Sequence, residues 1–132
     1  MAIIESPANR VGAVDYFKAK LQFECYPGTL HGLLGLPTLL ILDVRGREAF
    51  ARDHIPGALN VPLDELHKRH GELPQGKTII CCSGGPECPK AARAALELAH
   101  LGYAVQELIG GMESWKKAGF ELETEERGRF KA

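Results

Sequence analysis

A chain of 132 residues is long enough to bury one hydrophobic core and short for two, so one domain with one site is expected. Apolar residues make up 45% and charged residues 25%, an ordinary globular balance that argues against disorder and against a membrane class. The formal net charge of -1 supplies no field to draw in nucleic acid or an acidic membrane surface, and neither partner is expected.

From Met1 to Pro7 there is no basic stretch followed by a sustained apolar run, and a cytoplasmic chain is the expectation. Residues 11–24 place Val14, Phe17 and Leu21 on one helical stripe and Asp15, Lys18 and Gln22 on another, which predicts an amphipathic helix packed on the rest. A short strand over Phe23–Tyr26 ends at Pro27-Gly28, and a short helix runs through Leu30 to Leu34. Thr38 to Leu42 is continuously apolar, as befits a strand of a parallel sheet covered on both faces, and Asp43-Val44 ends it. A polar helical segment leads to a strand at Ala58–Val61, then a helix from Leu63 to His70 with Leu63 and Leu66 facing inward.

Thr78–Cys82 reads as a third buried strand, and Gly-Gly-Pro after it forces a loop. From Pro89 to Leu101 the polar residues Lys90, Arg93, Glu97 and His100 fall at intervals of three and four, and Gly102 stops the helix. Ala104–Leu108 is a last strand, Gly110-Gly111 a turn, and Met112–Ala118 a helix stopped by Gly119. The predicted class is α/β: an open, mostly parallel five-stranded sheet with helices on both faces and right-handed crossovers. Residues 1–37 form a helical extension packed on a domain over 38–120, and 121–132 a charged, loosely held tail.

In such sheets the reactive loops lie beyond the carboxyl ends of the strands, where Cys82 sits. The loop Cys82-Ser83-Gly84-Gly85-Pro86-Glu87-Cys88 runs from a buried strand into a helix. Its backbone N–H groups, and those of the helix's first turn, are expected to converge on the Cys82 sulfur, favouring a thiolate and sheltering a persulfide. Gly84 and Gly85 would let the backbone turn those groups inward. The plainer alternative is a small buried residue finishing a strand. Cys81 points to the opposite face and is assigned to packing, as is Cys25. Cys88, placed at the helix's first turn, stands open between resolving Cys82, relaying sulfur, acting as nucleophile and filling space. No histidine lies at zinc-ligand spacing from these cysteines, so no metal is expected, and His31, His54, His67, His70 and His100 read as surface or turn residues.

Several separated stretches together resemble the single-domain rhodanese-like proteins over roughly Leu39 to Phe120. They are Asp43-Val44-Arg45 with Glu48 and Phe50, His54-Ile55-Pro56-Gly57-Ala58 with Asn60 and Pro62, and Leu108-Ile109-Gly110-Gly111-Met112 with Trp115 and Gly119-Phe120. The resemblance implies a rhodanese-like fold and a persulfide-forming cysteine at Cys82, with Ser83 to Glu87 as its cradle. It implies a sulfurtransferase with no cofactor, exchanging sulfur between a donor (persulfide or thiosulfate) and a thiol acceptor, with a protein partner open. The flanking motifs read as scaffold.

The loop departs from the family pattern where many members carry an arginine followed by serine or threonine: here stand Glu87 and Cys88. A carboxylate there repels an anionic donor such as thiosulfate, so a persulfide donor is the better expectation. Two alternatives remain beside the sulfurtransferase: a non-catalytic rhodanese-like interaction or sensing module, and a Cys82/Cys88 redox pair. A phosphatase or arsenate reductase is disfavoured, because the loop lacks the arginine that clamps a tetrahedral oxyanion.

Overall fold

The computed structural model describes residues 7–125. In chain order the elements are α1 (Pro7–Phe23), β1 (Glu24–Cys25), α2 (Pro27–Leu33), β2 (Leu39–Asp43), α3 (Arg47–Arg52), β3 (Leu59–Asn60), α4 (Leu63–Arg69), β4 (Thr78–Cys82), α5 (Lys90–His100), β5 (Ala104–Leu108) and α6 (Gly111–Lys117), with a 3-10 turn at His70–Glu72. The five strands form one sheet in the order β1-β5-β4-β2-β3, every pairing parallel. After β3 the chain crosses back over β2 to lay down β4 on its other side. The strand order therefore reverses between β2 and β4, whose last residues, Asp43 and Cys82, are register partners.

Strand alternation divides the core in two. Leu42, Val44, Ile79 and Cys81 face one side, where Leu66 of α4 and Ala91, Ala94 and Leu98 of α5 cover them. Ile41, Ile80 and Cys82 face the other, under Leu30 of α2 and Met112 and Trp115 of α6. Burial on both faces is why β2 and β4 read as unbroken apolar runs. Leu66 is fully buried and Leu63 packs beside it, as the α4 pattern predicts.

Three expectations are corrected. Residues 12–19 and 21–23 of α1 are exposed, and the stripe Val14, Phe17 and Leu21 with them, Leu21 at 85%. The helix touches the domain near its end instead, where the Gln106 side-chain N–H donates to the Gln22 carbonyl at 3.2 Å.

His54 is not a surface residue. It is 4% exposed, stacked on Phe50 with ring centroids 3.8 Å apart, and its Nδ1 pairs with the Phe50 carbonyl at 2.7 Å. Nor is the start of the tail loose. The His54 and Glu123 backbones exchange two hydrogen bonds of 2.9 Å, the Glu125 N–H reaches Ala51 O at 2.8 Å, and the Trp115 indole N–H donates to Glu121 O at 2.9 Å. The rest of the expected tail lies outside the described residues.

Candidate active site

Asp43, Val44 and Arg45 leave β2 beside the end of β4 and are tied into a hydrogen-bond network. Arg45 donates to Asp43 through Nε and Nη2, at 3.0 and 2.8 Å, and to the Asp53 carbonyl. The Asn60 amide bridges the Asp43 and Arg45 carbonyls at 2.9 and 3.0 Å. Lys116 Nζ closes the network on Asp53 at 2.8 Å. These contacts agree with a scaffold role for the motif.

The cysteine loop is held from the opposite side by the start of α6. Met112 N–H donates to Ser83 O at 2.8 Å and Glu113 N–H to Gly84 O at 3.0 Å. This approach needs glycine at 111: its φ is +56°, and a Cβ there would lie 2.4 Å from Ser83 O and 3.0 Å from Gly85 N. By contrast, neither Gly84 nor Gly85 has positive φ; left-handed backbone is used at Gly110 and Gly111.

The two loop cysteines differ sharply. Cys82 is 1% exposed and packs with the Met112 and Trp115 cluster. Burial pushes its thiol well up, the Asp43 carboxylate adds to the rise, and Arg45 opposes it only in part. Its Sγ points to the Ser83 carbonyl at 3.5 Å. The expected thiolate-stabilising convergence on Cys82 is therefore absent from this arrangement and is found at Cys88.

Cys88 lies two residues before α5 rather than inside its first turn, its N–H turned back to Gly85 O at 3.1 Å. It is partly exposed. Partial desolvation raises its thiol, but the backbone N–H groups of Lys90 and Gly84, the Ser83 hydroxyl and the Lys90 charge outweigh this and bring it below 9.0. Burial, with the Glu107 carboxylate adding, pushes Cys81 up to about 12, and burial raises Cys25 too, consistent with their packing roles.

A cleft of about 470 Å³ opens over the loop, lined by Gly84, Gly85, Pro86, Glu87, Cys88 and Glu113. The structure thus brings Gly84 to Cys88 to one wall and leaves Cys82 and Ser83 beneath it. Glu113 was not picked out from the sequence; its position directly after Gly110-Gly111-Met112 was the available signal. Its carboxylate faces Gly85, where an added Cβ would stand 2.7 Å from Oε1.

A cysteine-bearing loop at the reversal point of a parallel sheet, flanked by an Asp-Val-Arg strand end and a Gly-Gly helix start, defines a class of cysteine-loop α/β domains. The rhodanese-like domain model matches residues 27–118, and the chain belongs to that family. The BH2092 protein of Bacillus halodurans superposes with a TM-score of 0.78 at 33% identity, covering 88% of this chain and 87% of that one. The HTH-type transcriptional regulator Rv0324 of Mycobacterium tuberculosis is 35% identical over 83 residues, 63% of this chain and 37% of the regulator. The putative sulfur carrier protein YrkF of Bacillus subtilis is 38% identical over 80 residues, 59% of this chain and 42% of the carrier. The chain thus spans about two fifths of these two relatives. Among the described residues no helix is long and apolar enough to cross a membrane.

Proposed function

We propose that the chain is a sulfurtransferase that carries sulfane sulfur as a persulfide on Cys82, loaded from a persulfide in preference to thiosulfate. The observation that carries this reading is the position of Cys82. It ends a central strand at the reversal point of the sheet, in register with Asp43, under a loop that opens into a cleft. Similarity to a putative sulfur carrier supports the chemistry.

In loading, a thiolate forms a bond to the outer sulfur of the donor persulfide, the donor S–S bond breaks, and the donor leaves as a thiolate that takes up a proton. In unloading, an acceptor thiolate attacks that same outer sulfur and the cysteine departs. Burial of Cys82 against Met112 and Trp115 keeps water and oxidants from the stored sulfur. Two carboxylates, Glu87 and Glu113, line the cleft, which disfavours a dianionic donor. A persulfide needs no oxyanion clamp.

The test is intact-mass spectrometry of reduced protein after treatment with glutathione persulfide or thiosulfate, with peptide mapping. A one-sulfur adduct that cyanide removes, formed faster from the persulfide, is the expected result; no adduct with either donor rules out the reading. One observation favours a second reading, the non-catalytic module: the Cys82 sulfur is sealed and its thiol raised. A Cys82→Ser protein with unchanged binding behaviour would support that module.

A further inference from the structure

The sealing of Cys82 and the openness of Cys88 are two halves of one arrangement. A thiol takes sulfur from an external donor fastest where that donor can reach it and where it ionises readily. Cys82 is out of an external donor's reach: it is 1% exposed, does not line the cleft, and clusters with Met112 and Trp115. Cys88 has access, since it lines the cleft and is partly exposed. Ser83 joins the two positions, being covalently next to Cys82 while its hydroxyl lies 3.4 Å from the Cys88 carbonyl, so the loop is closed on itself with one cysteine at each end.

We propose that Cys88 is the entry thiol of the loop, attacking the persulfide donor at the cleft and passing the sulfur inward to Cys82. This rests on the sulfurtransferase reading and adds the route to it. In the first step the Cys88 thiolate bonds to the outer sulfur of the donor RS–SH, the RS–SH bond breaks, and RS⁻ departs, leaving Cys88–S–SH. In the second, the Cys82 thiol passes its proton to the Cys88 sulfur as it bonds to that outer sulfur and the bond to Cys88 breaks. The products are Cys82–S–SH and a Cys88 thiol, with no external oxidant or reductant. The direction follows from leaving-group chemistry: the more acidic thiol departs faster, and Cys88 is the more acidic of the two. Sulfur on Cys82 then lies among the apolar side chains of Met112 and Trp115.

The test uses the full chain with glutathione persulfide, quenched at short times and peptide-mapped, in the wild type and in Cys88→Ser and Cys82→Ser. The wild type carries its earliest adduct on Cys88 and a later one on Cys82. Cys82→Ser retains a single sulfur on Cys88, and Cys88→Ser loads Cys82 at least about tenfold more slowly. Loading of Cys88→Ser at the wild-type rate overturns the entry role while leaving the sulfurtransferase intact, as does a Cys82→Ser protein that takes up no sulfur. A wild type that takes up no sulfur overturns both. Iodoacetamide mapping of the native protein gives an independent readout: Cys88 labels first, with a pH midpoint below 9.0, and faster labelling of Cys82 refutes the assignment.

Discussion

Replacing Gly111 by alanine tests how tightly the start of α6 holds the cysteine loop. The new Cβ would stand 2.4 Å from Ser83 O, against 3.4 Å or more for an ordinary contact, so the loop must retreat by about 1 Å. That retreat stretches the hydrogen bonds from Met112 and Glu113 to Ser83 O and Gly84 O, now 2.8 and 3.0 Å, each worth about 1 kcal/mol. The left-handed backbone adds about 1–2 kcal/mol for any residue with a Cβ. The sum is a loss of roughly 3–4 kcal/mol in urea unfolding. Gly119 is the control: its φ is +80° with nothing within 4 Å of where a Cβ would stand, so Gly119→Ala carries only the backbone penalty of about 1–2 kcal/mol. Loop displacement also alters how the Gly84 N–H and the Ser83 hydroxyl meet Cys88, and the iodoacetamide rate at Cys88 should fall. Equal stability of the two variants, or an unchanged Cys88 rate in Gly111→Ala, would refute the account.

Glu87→Arg should raise the rate of sulfur loading from thiosulfate by about tenfold, because a repelling carboxylate in the cleft becomes a bidentate anion donor, while loading from glutathione persulfide changes less; stopped-time mass spectrometry decides, and an unchanged thiosulfate rate counts against the electrostatic argument. Asp53 is partly desolvated, which raises its carboxyl, but Lys116 and Arg45 hold it below 3.8 overall. A carboxyl depressed in the folded state contributes stability above its unfolded value and loses it as pH falls through the folded one. Asp53→Asn should therefore lower the urea midpoint at pH 7 and match the wild type once the pH is well below 3.8; an equal deficit at both pH values would show that geometry, not charge, is at stake.

Much of the architecture was legible because it rests on local pattern. The unbroken run before Asp43 and the polar spacing of Lys90, Arg93, Glu97 and His100 report burial that their own elements impose. The opposite facing of Cys81 and Cys82 follows from the strand period alone. What escaped depends on partners distant in sequence. His54 stacks on nearby Phe50, but its burial is completed by a backbone exchange with Glu123, which nothing near it in the chain announces. The stripe of α1 reads as a core face, yet its apolar side chains meet solvent. At the site, the loop and its cysteines were found from sequence, but which sulfur is acidified was not. That outcome turns on Met112 and Trp115 closing over Cys82 and on Gly84, Lys90 and Ser83 converging on Cys88.

The outer strands of the sheet, β1 and β3, are two residues each, while β2, β4 and β5 have five. A sheet's open rim is the usual template for an intruding strand, and its danger grows with its length. Here one rim strand is Glu24-Cys25 and the other Leu59-Asn60, with the Asn60 amide already tied to two carbonyls of its own chain. Neither rim offers enough consecutive backbone to seed a continuous ladder. The fold can therefore keep its cysteine loop at the centre of the sheet without presenting flanks for edge-to-edge aggregation.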